Sequence, residues 1–220
     1  MSVDRNAVIE TLLRSKVLII MRGYTREQLL HIGEAVYAGG VCQMEVTFDQ
    51  LGRTPHEETA SIITALREKF DGRMHVGAGT VMTLDQLHLA CDAGAEFIVS
   101  PDSYQPVIEE TRALGLVSMP GAFSPTEAAN AYRWGADFVK LFPNAALGAG
   151  YLKDLTAPLS HIRFLAVGGI TLENIAQFAA AGAVGYGVAS GIVKRPWVEA
   201  GDWDAITRQA RAYIDALARA

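Results

Sequence analysis

The sequence predicts an α/β fold, a (β/α)8 TIM barrel with an extra N-terminal helix. Eight short apolar runs alternate with longer stretches of helical apolar spacing along the 220 residues. Glycine recurs between a helix and the next strand, where it adopts the left-handed conformation that ends a helix. Five segments show this: Ala38-Gly-Gly-Val41, Ala93-Gly-Ala95, Leu114-Gly-Leu116, Trp134-Gly-Ala136 and Ala181-Gly-Ala183. Repeated βα units of this kind indicate a parallel sheet.

The eight predicted strands are the apolar runs Val17–Met21, Val41–Thr47, Met74–Gly77, Glu96–Ser100, Leu116–Met119, Asp137–Phe142, Ile162–Val167 and Ala183–Val188. The helical patterns between them include Arg26–Ala38, His56–Phe70, Leu84–Ala93, Tyr104–Leu114 and Pro125–Trp134. Residues Val3–Arg14 form the extra helix, which we expect to close the N-terminal end of the barrel. No linker interrupts the pattern, so residues 1–220 are predicted to form one domain.

An open doubly wound sheet would give a similar alternation of strands and helices. The second strand favours the closed barrel. Its polar residues Gln43, Glu45 and Thr47 share one face, whereas Cys42, Met44 and Val46 share the other. A strand covered by helices on both faces is apolar throughout, but a barrel strand can carry polar groups on its inner face.

Composition limits the possible partners. The 19 basic and 24 acidic side chains give a net charge of −5, which argues against binding to nucleic acid or to an anionic membrane. The longest compact apolar run is far shorter than a membrane span, and acidic residues interrupt any export signal, so we expect a cytoplasmic protein. Cys42 and Cys91 form no CxxC pair, and the five histidines are scattered, so we expect no bound metal.

Lys140 is the strongest single indication of chemistry. Only five lysines occur in the chain, and this one lies inside a predicted strand, between hydrophobic neighbours. Burial favours the neutral form of a lysine, and a neutral amine can attack a ketone to form a Schiff base. A structural lysine paired with an acid is the alternative.

Other polar residues are expected at the same barrel mouth. Glu45 can form an ion pair with Lys140 or move protons during catalysis. Arg22 ends the first strand and can bind a substrate carboxylate, or form a surface salt bridge. Thr80 and Pro101 follow the third and fourth strands, where a ligand can approach, although a tight turn and a helix cap would need the same residues.

Two glycine-rich turns predict an anion site. Val167-Gly-Gly-Ile-Thr171 follows the seventh strand, and Gly185-Tyr-Gly-Val-Ala-Ser-Gly191 covers the end of the eighth. Barrels frequently bind phosphate between these two loops through backbone N–H groups. Each turn alone is also compatible with ordinary barrel geometry.

Several motifs lie along the chain in a characteristic order: Met44-Glu-Val-Thr47, Gly77-Ala-Gly-Thr-Val81, Ser100-Pro101, Pro120-Gly121 with Ser124-Pro-Thr-Glu127, Phe138-Val-Lys-Leu-Phe-Pro143 and Val167-Gly-Gly-Ile170. Over nearly its whole length the sequence resembles the class I KDPG/KHG aldolases. These are homotrimeric barrels that cleave 2-keto-3-deoxy-6-phosphogluconate, or a close relative, into pyruvate and an aldehyde. The resemblance makes Lys140 the Schiff-base lysine and Glu45 the proton shuttle. It places phosphate at Gly168, Gly169 and Ser190, and Phe142 beside the pyruvyl group.

The sequence departs from the gluconate-type pattern in two places. Thr47 is followed by a longer segment before Arg53-Thr-Pro55, so Arg53 either replaces the family arginine from a longer loop or leaves that anion contact unmade. The usual Pro-Thr-Gly-Gly reads Ala166-Val-Gly-Gly169, which, with Arg22-Gly23, is more similar to the phosphogalactonate branch.

The sequence thus predicts a class I aldolase that acts on 2-keto-3-deoxy-6-phosphogluconate, without a cofactor. Aldolases acting on the phosphogalactonate epimer or on 4-hydroxy-2-oxoglutarate are the alternatives within the family. A phosphate-binding barrel isomerase or epimerase with Glu45 as base, and a silent sugar-phosphate-binding barrel, are the alternatives outside it.

Overall fold

The computed structural model describes residues 3–220. Its strands are β1 (Val17–Met21), β2 (Gln43–Thr47), β3 (His75–Gly79), β4 (Phe97–Val99), β5 (Val117–Met119), β6 (Gly121–Ala122), β7 (Val139–Leu141), β8 (Phe164–Val167) and β9 (Gly185–Val188). They form one sheet in the order β5-β4-β3-β2-β1-β9-β8-β7-β6, and every paired strand is parallel.

The sheet closes on itself through β5 and β6. These two segments lie at opposite ends of the strand order, yet only Pro120 separates them along the chain. Proline has no N–H to donate to a neighbouring strand, so the regular ladder is interrupted there. Its carbonyl still accepts a hydrogen bond of 2.8 Å from the Lys140 N–H. β5 and β6 therefore act as one barrel strand, which confirms the eight-stranded barrel over the open sheet.

Ten helices surround the barrel within the described residues: α1 (Arg5–Ser15), α2 (Arg26–Ala38), α3 (His56–Lys69), α4 (Leu84–Asp92), α5 (Gln105–Ala113), α6 (Pro125–Arg133), α7 (Gly148–Thr156), α8 (Ile175–Ala180), α9 (Arg195–Ala200) and α10 (Trp203–Ala218). The first six agree with the predicted helices to within two residues. The predicted barrel implies helices in the rest of the chain as well, but no bounds were predicted for the last four.

α1 closes the N-terminal end of the barrel, as the sequence predicted. Val8 and Leu12 are fully buried against interior side chains. The Gln43 side-chain amide, at the start of β2, donates a 2.6 Å hydrogen bond to the Val8 carbonyl. The active end is therefore the opposite one, where the strands end.

Seven of the eight predicted strands begin one or two residues later than expected, and contacts in the structure explain two of these shifts. Val41 was expected in the second strand, but its N–H binds the Val36 carbonyl and completes the end of α2. Asp137 was expected in the sixth barrel strand, which is β7. Its carboxylate instead accepts hydrogen bonds from the Ser118 N–H and from Arg5, so the regular strand begins at Val139.

Successive side chains of each strand point alternately into the barrel and toward the helices, so the protein has two hydrophobic cores. The barrel interior contains Leu18, Phe97, Val117, Phe138 and Leu165, all nearly inaccessible to solvent. The residues between them, such as Met44 and Val46 on β2, pack against the surrounding helices. Gln43, Glu45 and Thr47 are buried on the inner face, which confirms the predicted polar face of that strand.

Within residues 3–220, none of the helices combines the length and the apolar character that crossing a membrane requires.

The contact between α2 and α10 leads to a stability prediction. A Cβ on Gly39 would collide with the Ala210 side chain and lie 2.9 Å from the Thr207 carbonyl oxygen, and both belong to α10. Because backbone cannot move away as a flexible side chain does, Gly39→Ala should lower the free energy of unfolding by about 1–3 kcal/mol. Urea denaturation of the purified protein measures this loss.

Gly150→Ala is the matched control, since nothing lies within 4 Å of a Cβ at that position in α7. It should leave stability unchanged or raise it by about 0.5–1 kcal/mol. Equal effects of the two substitutions would contradict this account of the α2–α10 contact.

Candidate active site

Lys140 lies at the centre of β7 with its side chain pointing into the barrel. It is only 7% exposed, and its backbone pairs with Gly121 of β6 and Leu165 of β8. The Nζ atom lies 4.7 Å from the centre of the Phe142 ring, which follows on the same strand face. The aromatic face thus covers one side of the amine, in the geometry of a cation–π contact.

Glu45 extends into the same interior from β2 and is 1% exposed. A Cβ on Gly79 would lie 2.5 Å from Glu45 Oε1, so glycine on β3 provides the space that this carboxyl group occupies. Among the described residues, Glu45 Oε2 has no hydrogen-bond partner. A buried carboxyl oxygen without a partner is unusual in proteins and is typical of a functional site.

The two groups shift each other's protonation. Desolvation raises the pKa of Glu45 to about 7, although the charges of Lys140 and Arg22 oppose the shift. Desolvation also lowers the pKa of Lys140, and Arg22 lowers it further, whereas Glu45 and Asp102 raise it. Burial therefore favours the neutral form of both groups. Their arrangement suits nucleophilic attack by an amine with proton transfer by a carboxyl group.

Arg22 and Thr80 meet at the mouth of the barrel, although 58 residues separate them. Arg22 Nη2 donates a 2.9 Å hydrogen bond to Thr80 Oγ1. Thr80 has a φ of 56°, a left-handed conformation that a β-branched residue rarely adopts. Such outliers concentrate at functional sites. The structure thus brings these two predicted residues together.

Pro101 belongs to a turn that lies against the residue beside Lys140. The Gly121 N–H donates a 3.1 Å hydrogen bond to the Asp102 carbonyl, and Ser103 Oγ donates one of 2.6 Å to the Gly121 carbonyl. A Cβ on Gly121 would collide with the Pro101 carbonyl. Since Gly121 pairs with Lys140, this turn borders the amine site.

The two glycine-rich loops are adjacent, as the predicted anion site requires. Gly168 and Gly169, after β8, have positive φ angles of 93° and 72°. A Cβ on Gly191, next to Ser190, would lie 3.2 Å from the Ile170 carbonyl oxygen. Tyr213 of α10 donates a hydrogen bond to that carbonyl as well. Ser190 itself is exposed.

Arg53 lies on an exposed loop after β2. Its side chain is 72% exposed and forms a 3.1 Å ion pair with Asp49. With Arg22 and Arg195 it lines a cleft of about 470 Å³, whose apolar residues belong to the core between barrel and helices. Of the two arginines considered from the sequence, Arg22 is the one whose charge acts on both Glu45 and Lys140.

Sequence reasoning missed Asn144 and Asp102. Asn144 is fully buried, and within the described chain both polar atoms of its side chain lack a partner. Its N–H donates to the Val167 carbonyl, which places it beside the Gly168 loop. No sequence pattern marks this residue. Asp102 could have been found, because it follows Ser100-Pro101 at a strand end.

Residues 3–220 contain no group of three His, Cys, Asp or Glu side chains that could hold a metal ion.

Comparison with known proteins identifies the family. A family model described as "KDPG and KHG aldolase" matches residues 8–209. A 2-dehydro-3-deoxy-6-phosphogalactonate aldolase of Escherichia coli is 34% identical over 180 residues, which are 81% of this chain and 84% of that protein. A 2-dehydro-3-deoxy-phosphogluconate aldolase of Treponema pallidum is 33% identical over 201 residues, 91% of this chain and 92% of that protein.

A solved structure extends the comparison to the fold. The KDPG aldolase of Legionella pneumophila, with pyruvate captured as a covalent carbinolamine intermediate, superposes with a TM-score of 0.83 at 28% identity. The match covers 93% of this chain and 96% of that one. The chain therefore belongs to the KDPG/KHG aldolase family of carbon–carbon lyases.

Proposed function

We propose that the protein is a class I aldolase that cleaves 2-keto-3-deoxy-6-phosphogluconate into pyruvate and glyceraldehyde 3-phosphate. The observation that carries the proposal is that Lys140 and Glu45 are both buried in the same barrel interior. Burial favours the neutral amine of the first and raises the pKa of the second to about 7. Family membership and relatives named phosphogluconate aldolase support the substrate.

The cycle begins with the neutral amine of Lys140. Its nitrogen attacks the C2 ketone carbon, and the carbonyl oxygen takes up a proton to give a carbinolamine. Loss of water then leaves an iminium ion on the lysine. Glu45 lies in the same interior and can give and accept the protons of these steps, because a pKa near the working pH suits both directions.

Cleavage of the C3–C4 bond follows. A base removes the proton of the C4 hydroxyl group, and we assign this proton to Glu45. As the bond breaks, its electron pair moves into the iminium and gives an enamine, while C4 becomes the aldehyde carbon of glyceraldehyde 3-phosphate. Protonation of the enamine at C3 and hydrolysis release pyruvate and restore the amine. The iminium formed on the lysine is the electron sink, so this cycle uses no cofactor.

The remaining site residues would hold the two ends of the substrate. We assign the carboxylate and pyruvyl group to Arg22, Thr80, Pro101 and Phe142. The hydrogen bond between Arg22 and Thr80, and the contact of Phe142 with Lys140, support this assignment. We assign the phosphate to a second set of residues on the two adjoining glycine-rich loops, because barrels frequently bind phosphate between the loops at this position. That set consists of Gly168, Gly169 and Ser190.

We also propose that residues 1–220 act as one barrel domain and that the enzyme is a cytoplasmic homotrimer. The exposed aromatic side chains of Tyr104, Phe123 and Tyr132 are candidates for the subunit contact, because aromatic residues are enriched in such interfaces. Light scattering of the purified protein at several concentrations measures the number of subunits.

Cleavage of the phosphogalactonate epimer is the second candidate function. Val167 stands where a hydroxyl-bearing residue is expected in the gluconate-type enzymes, and its side chain is buried in the barrel interior beside Gly168. The relative of Escherichia coli is named for that epimer. 4-Hydroxy-2-oxoglutarate is the third substrate that the family name includes.

Pyruvate should become attached to Lys140 when the enzyme is reduced with borohydride. Reduction converts the iminium to a stable secondary amine, and peptide mass spectrometry locates it. Lys140→Arg should lose the adduct and nearly all pyruvate release, because a guanidinium cannot form this iminium. The exposed Lys153 provides the control: Lys153→Arg should retain both.

An adduct on another lysine would contradict the assignment. An isomerase or epimerase with Glu45 as base would keep substantial activity in Lys140→Arg, and a silent binding barrel would release no pyruvate even in the unmodified protein.

Among the three family substrates, 2-keto-3-deoxy-6-phosphogluconate should give the highest kcat/KM. Pyruvate release coupled to lactate dehydrogenase measures the three substrates side by side. Val167→Thr restores a hydroxyl group next to the phosphate loop and should raise the preference for the gluconate compound further. A higher kcat/KM for the galactonate epimer would contradict the gluconate assignment and support the phosphogalactonate aldolase instead.

A further inference from the structure

Asp102 is a charged residue at the barrel mouth that the proposed cycle does not use. It follows β4, directly after Pro101, and its side chain is exposed. Its carbonyl accepts the Gly121 N–H, and Gly121 is the residue that pairs with Lys140 across the sheet. Asp102 is thus held one strand away from the reactive amine.

The turn that carries Asp102 has little freedom to move. Ser103 Oγ donates to the Gly121 carbonyl while the Gly121 N–H donates to Asp102, so both polar groups of Gly121 are bound to this turn. The Pro101 carbonyl also packs against Gly121, where no Cβ would fit. This fixed backbone holds residue 102 at the mouth of the barrel, where its side chain is exposed to solvent.

The charges of Asp102 and Lys140 influence each other, which agrees with the placement of Asp102 at the barrel mouth. Desolvation raises the pKa of the Asp102 carboxyl, whereas its own N–H and the charge of Lys140 lower it. In return, Asp102 raises the pKa of Lys140. The mouth therefore carries two carboxyl groups near the amine: Glu45, buried inside, and Asp102, open to solvent at the rim.

The candidate substrates differ in the group attached to C4. All of them carry a carboxylate at C1 and a hydroxyl group at C4. In 4-hydroxy-2-oxoglutarate a second carboxylate is attached directly to C4, the carbon released when the C3–C4 bond breaks. In the six-carbon sugar acids C4 carries a hydroxylated carbon, and the phosphate lies farther along the chain.

We propose that Asp102 is a specificity-determining residue that disfavours substrates with a carboxylate on C4 and favours those with a hydroxylated carbon there. Its negative charge repels the second carboxylate of 4-hydroxy-2-oxoglutarate, whereas a hydroxyl group can donate a hydrogen bond to it. The C1 carboxylate is common to all these substrates, so its interaction with Asp102 cancels in a comparison. The inference rests on the proposed aldolase function and deepens it.

The test is the ratio of kcat/KM for 4-hydroxy-2-oxoglutarate to kcat/KM for 2-keto-3-deoxy-6-phosphogluconate, measured as pyruvate release. Asp102→Asn keeps the size of the side chain and removes its charge, and the ratio should rise about tenfold. Asp102→Glu keeps the charge and should leave the ratio close to that of the unmodified enzyme. The ratio is the proper readout, because loss of the charge also changes Lys140 and affects both substrates alike.

Asp71→Asn is the matched control. It makes the same change in net charge on an exposed aspartate that precedes β3, at the opposite end of the barrel. Its ratio should equal that of the unmodified enzyme. A ratio in Asp102→Asn within twofold of the unmodified enzyme, or an equal rise in Asp102→Glu or Asp71→Asn, would overturn the inference. Absence of pyruvate release from both substrates by the unmodified enzyme would instead refute the aldolase function.

Discussion

The removal of Lys140 and Glu45 from water is the physical constraint on which the rest of the site depends. An isolated charge in a barrel interior is costly, and the buried amine and carboxyl group therefore shift toward their neutral forms. The closed barrel creates this environment. Apolar side chains fill the interior below the two groups, and α1 covers the far end. Glycine at position 79 leaves room for the Glu45 carboxyl beside β3.

The same desolvation has a cost in stability. The pKa of Glu45 rises from 4.5 to about 7 on folding, so between these values the folded protein binds more protons than the unfolded chain. Stability linked to this group is therefore fully present below pH 4.5 and is lost as the pH rises through 7. The shift corresponds to about 3 kcal/mol. Most of this stability is therefore lost at neutral pH, where the Glu45 carboxyl is close to its midpoint and is populated in both protonation states.

The barrel fold could be predicted from the sequence because local patterns of apolar and polar residues determine most of its strands and helices. β1 is found where the apolar run Val17–Met21 predicted it, and the inner face of β2 is polar as its alternation indicated. Errors arose where distant residues intervene. Asp137 leaves the strand pattern because Arg5 and Ser118 bind its carboxylate. The amphipathic helix α10 shows a clear pattern after the Asp202 cap, although the barrel prediction gave no bounds for a helix there.

Residue types in the sequence indicate the chemistry of the candidate site, but they do not indicate the contacts between its residues. A lysine among hydrophobic residues within a strand, and a glutamate on the polar face of another, can be recognised from residue types alone. The left-handed backbone of Thr80 and its bond to Arg22 depend on contacts between distant parts of the chain. The unpartnered amide of Asn144 likewise follows from how the loop after β7 packs beside β8.

A titration of Glu45 tests the central claim most directly. The carboxyl carbons of glutamate are labelled with ¹³C, and comparison of spectra from the unmodified protein and from Glu45→Gln assigns the Glu45 signal. The account predicts a midpoint of about 7 for that signal. A midpoint at the ordinary glutamate value of 4.5 would show that the barrel interior does not desolvate this carboxyl group, and would contradict the account.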